Sequence, residues 1–285
     1  MGMIYNTLNV DERYSPIVEP NLYMDDFLIP DVTFTSKYEI GPAGQIFVHK
    51  LTKGNVTVGL PAQDFTDVVA SDTLIPIAFY NSYRDSRKIY GVQANAVAFN
   101  AGEEYLSDVI SGLREARRYS ALACYAKEGT ASSITGASTK ANVVDNLLAL
   151  RKQVRDAKGE ANFALVSTEV YMMLLQNVGF TETPDPAVAS GELLRRFGLR
   201  IMECNGFDKA SAEYYDSTNT KQTVDLTNVE MIVGSGQAFS LVDNLEVLRI
   251  IDSENFAGSK AQAEINSGMK VTNPDLIAVK LIASV

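Results

Sequence analysis

Between Phe99 and Lys127 the chain carries one stripe at steps of three and four residues: Leu106, Val109, Ile110 and Leu113, continued by Arg117, Ser120 and Cys124. That period predicts a single unbroken helix with a face apolar for most of its length. At 1.5 Å per residue it would run about 40 Å, long enough to stiffen a whole subunit. Glu103 and Glu104 fall in the first turn and Arg114, Arg117 and Arg118 come later, an order that suits the helix dipole. Gly129-Thr130 ends the helix, and residues 129–139, rich in Ser, Thr, Ala and Gly, read as a loop.

Ahead of the helix the pattern is β. In 32–97, Ile46 and Val48 alternate with polar partners, Lys53-Gly54-Asn55 marks a turn, and Val56, Val58 and Leu60 resume the alternation. Leu74–Tyr80 and Lys88–Val92 read as two further strands separated by a polar tip, Asn81 to Ser86. With so few core residues, these strands are expected to form hairpins that project. Residues 1–34 read as an arm. Pro16, Pro20 and Pro30 forbid a continuous helix. Six acids, Asp11, Glu12, Glu19, Asp25, Asp26 and Asp31, face one base, Arg13, a net charge of −5. Tyr5, Leu8, Tyr14, Leu22 and Phe27 lie among them, which a solvated tail would not need. The arm is therefore expected to dock on a neighbour's basic surface, near Arg114, Arg117 and Arg118.

Beyond the helix, Val143, Leu147, Leu150 and Val154 stripe a second helix over 141–158, with Gly159 as its stop. Phe163–Val166 is a short buried strand, and Ser167 caps a helix reaching about Asn177. Pro184 and Pro186 mark a loop over 181–190. Strands are expected at Leu199–Met202, Val229–Val233, Phe239–Val242, Val247–Ile251 and Ile277–Ile282, with polar 205–224 as an exposed loop.

Little in the chain carries chemistry. At 285 residues with 46% hydrophobic content, a single body would bury about three quarters of its unfolded surface. The net charge of −10 argues against a sequence-specific nucleic-acid binder, because affinity there comes from Lys and Arg neutralising phosphates. Cys124 and Cys204 lie far apart in apolar settings and read as reduced core thiols, and no Cys/His cluster supports zinc. The lone His49 cannot build a multi-histidine site, and no GxSxG elbow supplies it a serine. Asp25-Asp26 and Glu103-Glu104 are adjacent residues whose side chains point apart. Arg195, Arg196 and Arg200 read as surface or interface charges. No secretory signal and no apolar run long enough to span a bilayer is present. No catalytic residue, metal or cofactor is expected.

One string competes with that conclusion. In VEMIVGSGQAFSLV (229–242) an apolar strand runs into Gly234-Ser235-Gly236, as phosphate loops do. A dinucleotide loop needs a third glycine where Phe239 stands, and a Walker loop needs a following Lys. The next element is a strand, so no helix dipole would face a phosphate. The string reads as a tight turn whose glycines permit positive φ, with a phosphate- or nucleotide-using enzyme as the competing reading.

The order of elements, an arm, projecting hairpins, one long helix, an α/β region and a closing strand, resembles that of tailed-phage major capsid proteins of the HK97-like fold. FALVSTEVYMMLLQN (163–177), GLRIMECNGF (198–207), VEMIVGSGQAFSLVDNLEVLRIIDSENF (229–256) and NSGMKVTNPDLIAVKLI (266–282) look like that family's recurrent segments, and the likeness covers about residues 30–285. It implies an α+β fold with an N-arm over 1–34 and a β-hairpin E-loop with adjoining P-domain strands over 35–97. The P-domain spine helix and its loop would take 98–140, the A-domain most of 141–250, and C-terminal P-domain strands 251–285. It further implies a homo-oligomer of pentamers and hexamers closing into an icosahedral virion shell around double-stranded DNA. Assembly would occur in the host cytoplasm with separate scaffolding and portal proteins. An encapsulin-type compartment shell of the same fold is the near alternative. Interface candidates are Tyr5, Leu8, Tyr14, Leu22 and Phe27 on the arm, Lys50, Lys53 and Arg84 on the hairpins, and Arg114, Arg117 and Arg118 on the helix. Some relatives cross-link Lys to Asn, and Lys50 or Lys53 could take part.

Overall fold

The computed structural model describes residues 21–36, 45–51, 72–91, 101–178 and 197–282. The long helix, α1, spans Ala101–Glu128. Its first half lies on a three-stranded antiparallel sheet and its second half on a five-stranded mixed sheet, so one rod carries both layers.

The three-stranded sheet is built from β3 (Asn81–Tyr90), β10 (Phe239–Asp252) and β11 (Gly258–Val271), in the order β10-β11-β3. Val109 and Leu113 of α1 pack on Ala263 and Ile265 of β11. The expected polar tip at Asn81 to Ser86 is a correction: those residues are strand, paired to β11 from Asn81↔Ser267 to Tyr90↔Gly258. They are polar because β3 is an edge strand with one wet face, and the partner that makes them a strand lies far along the chain. β11 was not foreseen, since its inward positions Ala261 and Ala263 are too small to announce a strand. The two segments expected at Phe239–Val242 and Val247–Ile251 are one strand, β10, irregular between Asp243 and Leu245.

The five-stranded sheet is built from β4 (Thr130–Ala131), β5 (Phe163–Val166), β6 (Arg200–Glu203), β9 (Val229–Gly234) and β12 (Ile277–Leu281). Their order across the sheet is β4-β12-β9-β5-β6. Alternation divides its residues cleanly, as a pleated sheet buried on both faces requires. Phe163 and Leu165, Ile232, and Ile277 and Val279 meet the second half of α1. Ala164 and Val166, Met231 and Val233, and Ala278 meet α2 (Val143–Asp156) and α3 (Thr168–Val178). The whole predicted stripe of α2, Val143, Leu147, Leu150 and Val154, is fully buried. Ser167 starts α3 as expected, its hydroxyl accepting from the Val170 N–H.

Two further ribbons are present among the described residues. β1 (Gln45–Leu51) pairs antiparallel with β2 (Asp72–Ala78); the alternation expected at Val56, Val58 and Leu60 lies outside the described residues. β7 (Ala212–Tyr215) and β8 (Lys221–Val224) form a hairpin where an exposed loop was expected. Ala212 and Tyr214 point inward and are buried against α1's end, while Glu213 and Tyr215 face out.

Candidate functional site

Gly234-Ser235-Gly236 carries the chain from one sheet to the other. β9 ends at Gly234, a short 3-10 turn covers Gly236–Ala238, and β10 begins at Phe239. The expectation of positive φ is corrected, because neither glycine has one. What these positions need is the missing side chain. A Cβ on Gly236 would lie 2.3 Å from the Val32 carbonyl oxygen, and one on Gly234 would lie 3.1 Å from that of Leu276. Protein backbone fills the place a phosphate would need, and the N–H of Ser235 is already given to the Leu276 carbonyl. Beneath the turn Tyr125 stacks on Phe239 at 4.0 Å between ring centres and donates its hydroxyl to the Thr33 carbonyl. The string thus joins helix, both sheets and the segment 21–36, and it offers no nucleotide a seat.

The segment 21–36 lies on its own chain. Met24, Phe27 and Leu28 are buried in the main core. Arg118 donates to the Met24 carbonyl and pairs with Asp26 at 3.2 Å. Asn21 and Tyr23 both donate to Asp108 of α1. The acid-on-base contact expected between subunits is therefore made within one subunit for Asp26 and Arg118. Arg117, expected as part of the same patch, pairs with Asp243 of β10. Of the arm candidates, Leu22 is 98% exposed, Phe27 is core, and Tyr5, Leu8 and Tyr14 lie outside the described residues. Arg114 and Arg84 are exposed, Arg84 pairing with Glu264 at 2.8 Å. Lys50 is exposed and donates to Asn273 at 3.3 Å within the same chain; Lys53 lies outside the described residues. The candidates among the described residues are thus scattered and do not converge on one cleft.

Two polar clusters, one buried and one part-buried, escaped sequence reasoning, because each joins segments remote in the chain. Lys280, fully buried, pairs with Glu230 and donates to the Gly136 carbonyl at 2.6 Å. Glu230 also accepts from Ser138, from its N–H at 2.7 Å and its hydroxyl at 2.9 Å. The pair pins the loop after α1 to the sheet. At the end of α1, Glu128 accepts from Lys270 (3.0 Å), from the Val271 N–H (3.0 Å) and from Tyr214 (3.3 Å). A single charged partner surrounded by hydrogen bonds is how a buried carboxylate is tolerated. Burial pushes the Cys204 thiol up to about 12 and raises Cys124 as well, which leaves both as poor nucleophiles. Among the described residues no group of three or more His, Cys, Asp or Glu is placed to hold a metal, and no helix is long and apolar enough to cross a membrane.

Four of the exposed apolar residues, by contrast, fall in two groups. Phe47 (50% exposed) and Leu74 (52%) share one face of the β1–β2 ribbon, where the register also sets Pro76. Leu248 and Ile250 stand out along β10, the edge of its sheet.

No protein-family model and no curated protein matches this sequence. Solved structures do. A chain of Mycobacterium phage Che8 superposes with a TM-score of 0.72 at 15% identity, covering 97% of this chain and 98% of its own. The capsid structure of cyanophage P-SCSP1u gives 0.75 at 14% identity, covering 96% and 93%. The mature capsid of bacteriophage PhiM1 gives 0.67 at 13%, covering 96% and 92%. At such identities the likeness is one of fold: this mixed helix-and-sheet chain has, over nearly its whole length, the fold of phage capsid chains.

Proposed function

We propose that this chain is the major capsid protein of a tailed phage, building the virion shell from copies of itself and performing no catalysis. The observation that carries this reading is the end-to-end fold match to capsid chains, 96% of this chain on 93% of the cyanophage capsid chain. A shared core alone could serve many functions, whereas this match runs through the arm-side segment, helix and both sheets alike. The exposed apolar strips on β1–β2 and β10 support it, since grouped apolar surface marks interaction sites. In this reading the subunit is HK97-like. Residues 1–34 are the N-arm, 35–97 the E-loop with adjoining strands, and 98–140 the spine helix and its loop. Most of 141–250 is the A-domain, and 251–285 returns to the P-domain. Copies would gather as pentamers and hexamers around double-stranded DNA, with scaffolding and portal proteins as partners and the host cytoplasm as the place of assembly. Many modest contacts, repeated by symmetry, would add up to a stable shell.

Electron micrographs of the purified protein test this directly. Closed shells of uniform size are expected, formed alone or on co-expression with a phage scaffolding protein. Protein that remains a folded monomer under both conditions would sink the reading.

A further inference from the structure

The two edges of the β10-β11-β3 sheet differ in sequence. β3, at one edge, carries Arg84, Asp85, Arg87 and Lys88. Charges of that kind keep an open row of N–H and C=O groups from pairing with another chain. β10, at the other edge, reads Val247-Leu248-Arg249-Ile250-Ile251 over its outer half, with one charge and no proline. Its irregularity, another device that blunts an edge, falls earlier, between Asp243 and Leu245. The start of β10 is covered: the Thr35 N–H donates to the Phe239 carbonyl and the Leu241 N–H to that of Thr35. Over 247–251 no backbone bond is made on this outer side among the described residues. Leu248 and Ile250, each 44% exposed, pair with Ala263 and Ala261 of β11. Residues paired directly across strands share a face, so both stand on the face that α1 covers, out beyond the helix.

We propose that residues 247–251 pair antiparallel with the same residues of a second copy across a two-fold axis at Arg249, an inference that rests on the shell reading above. The two sheets would then run on as one. The sequence of the strand itself favours a second copy. The run reads apolar-apolar-Arg-apolar-apolar in either direction, and a two-fold contact needs a patch complementary to itself. With the axis at Arg249, Leu248 opposes Ile250 twice on the helix face, and Val247 opposes Ile251 twice on the other. Side chains set directly opposite are the unit that stabilises a sheet. Moving the axis to Leu248 or Ile250 would set Arg249 against Val247 or Ile251 and break the match. The two arginines oppose each other, which costs stability, but each is drawn back over its own sheet because its Nε donates to Gln262 of β11 at 3.0 Å. Residues 247–251 alone fall well short of the roughly 20–30 residues a side of a stable interface. The pairing therefore holds only where other shell contacts already bring the copies together.

The test introduces Arg249→Cys into the full-length protein and treats its particles with a thiol cross-linker too short to bridge anything but directly opposed positions. Cys124 and Cys204 are buried and stay out of the reaction. Each chain then offers one reactive thiol, so a link from position 249 to position 249 joins two copies. Such covalent dimers are expected from particles and not from unassembled subunits. Leu248→Cys and Ile250→Cys chains, co-assembled, should link to each other and far less to their own kind, because each position opposes the other and lies about 7–8 Å diagonally from itself. Particles whose thiol at 249 is open to a monofunctional reagent yet never links overturn the inference. So do links from 248 to 248 with none from 248 to 250. Should Arg249→Cys prevent particles, a charge exchange decides. Leu248→Lys and Ile250→Glu should each lower particle yield at an unchanged melting temperature, and together in one chain restore it, since both opposed pairs then set Lys against Glu. A double variant that restores nothing overturns the inference equally. Wild-type protein that never leaves the monomer defeats the shell reading; particles that form and fail these tests defeat this inference alone.

Discussion

At the scale of single residues, the fold depends on close approaches and on satisfied buried charge. Gly236 has no room for a methyl group, its would-be Cβ lying 2.3 Å from backbone that cannot swing aside. Gly236→Ala should cost about 1–3 kcal/mol, the usual penalty for overpacking, seen as a lowered denaturant midpoint with an unchanged slope. Glu230→Gln strips Lys280 of its counter-charge while leaving it fully buried. Breaking a buried pair from one side costs about 3–5 kcal/mol. Glu230→Leu with Lys280→Met should cost less than the single change in the same unfolding measurement. Asp216, in the β7–β8 turn, shows the opposite use of a carboxylate. Burial would raise it, but hydrogen bonds from Thr218, Thr220 and Gln222 bring it down to about 2. A depressed acid stabilises the fold at pH values above its unfolded value of about 4, and that contribution disappears as pH falls through about 2. Amide exchange at Thr218 and Thr220 should therefore stay protected at pH 5 and accelerate, relative to the rest of the hairpin, as pH drops through that window.

Among the elements, the segment 21–36 decides where the arm ends and the body begins. From sequence alone, 1–34 is one acidic arm; in the structure its last third is core. Met24 is 4% exposed and Phe27 2%. Deleting residues 1–20 should leave the melting temperature of the subunit unchanged while impairing assembly. Deleting 1–25 removes Met24 as well and should cost about 2–5 kcal/mol, as for a buried Met truncated to Ala. Circular dichroism melts of the two truncations, set beside particle yield, separate these effects. The helices were legible because their burial follows a local period. α1 and α2 match their predicted stripes, and Val143, Leu147, Leu150 and Val154 are all buried. The strands were legible only where large apolar residues mark them, as in Phe163–Val166. β11 and the 81–87 part of β3 were missed, with only its end at Lys88–Tyr90 foreseen, because polar edge residues and alanines look like a loop until they are paired.

For the molecule at large, one helix joining two sheets gives a stiff body, and Phe47 with Leu74, and Leu248 with Ile250, form two exposed apolar strips on it. Phe47→Ser with Leu74→Ser removes one strip from an exposed ribbon face. Substitutions at such positions usually change stability by no more than about 0.5 kcal/mol, so unfolding should be unaltered while particle yield falls; unaltered yield would show that this strip does not face a neighbour. The helices and the buried strands of the five-stranded sheet were readable from the chain unaided. They are written in the spacing and type of near neighbours. Long-range pairing alone set β3 against β11, 182 residues from Ser82 to Glu264, spent Arg118 on its own chain, and made VGSG a crossing of backbones. Such facts depend on which distant segments meet, and the energy of a long-range contact leaves no periodic trace in either segment that makes it.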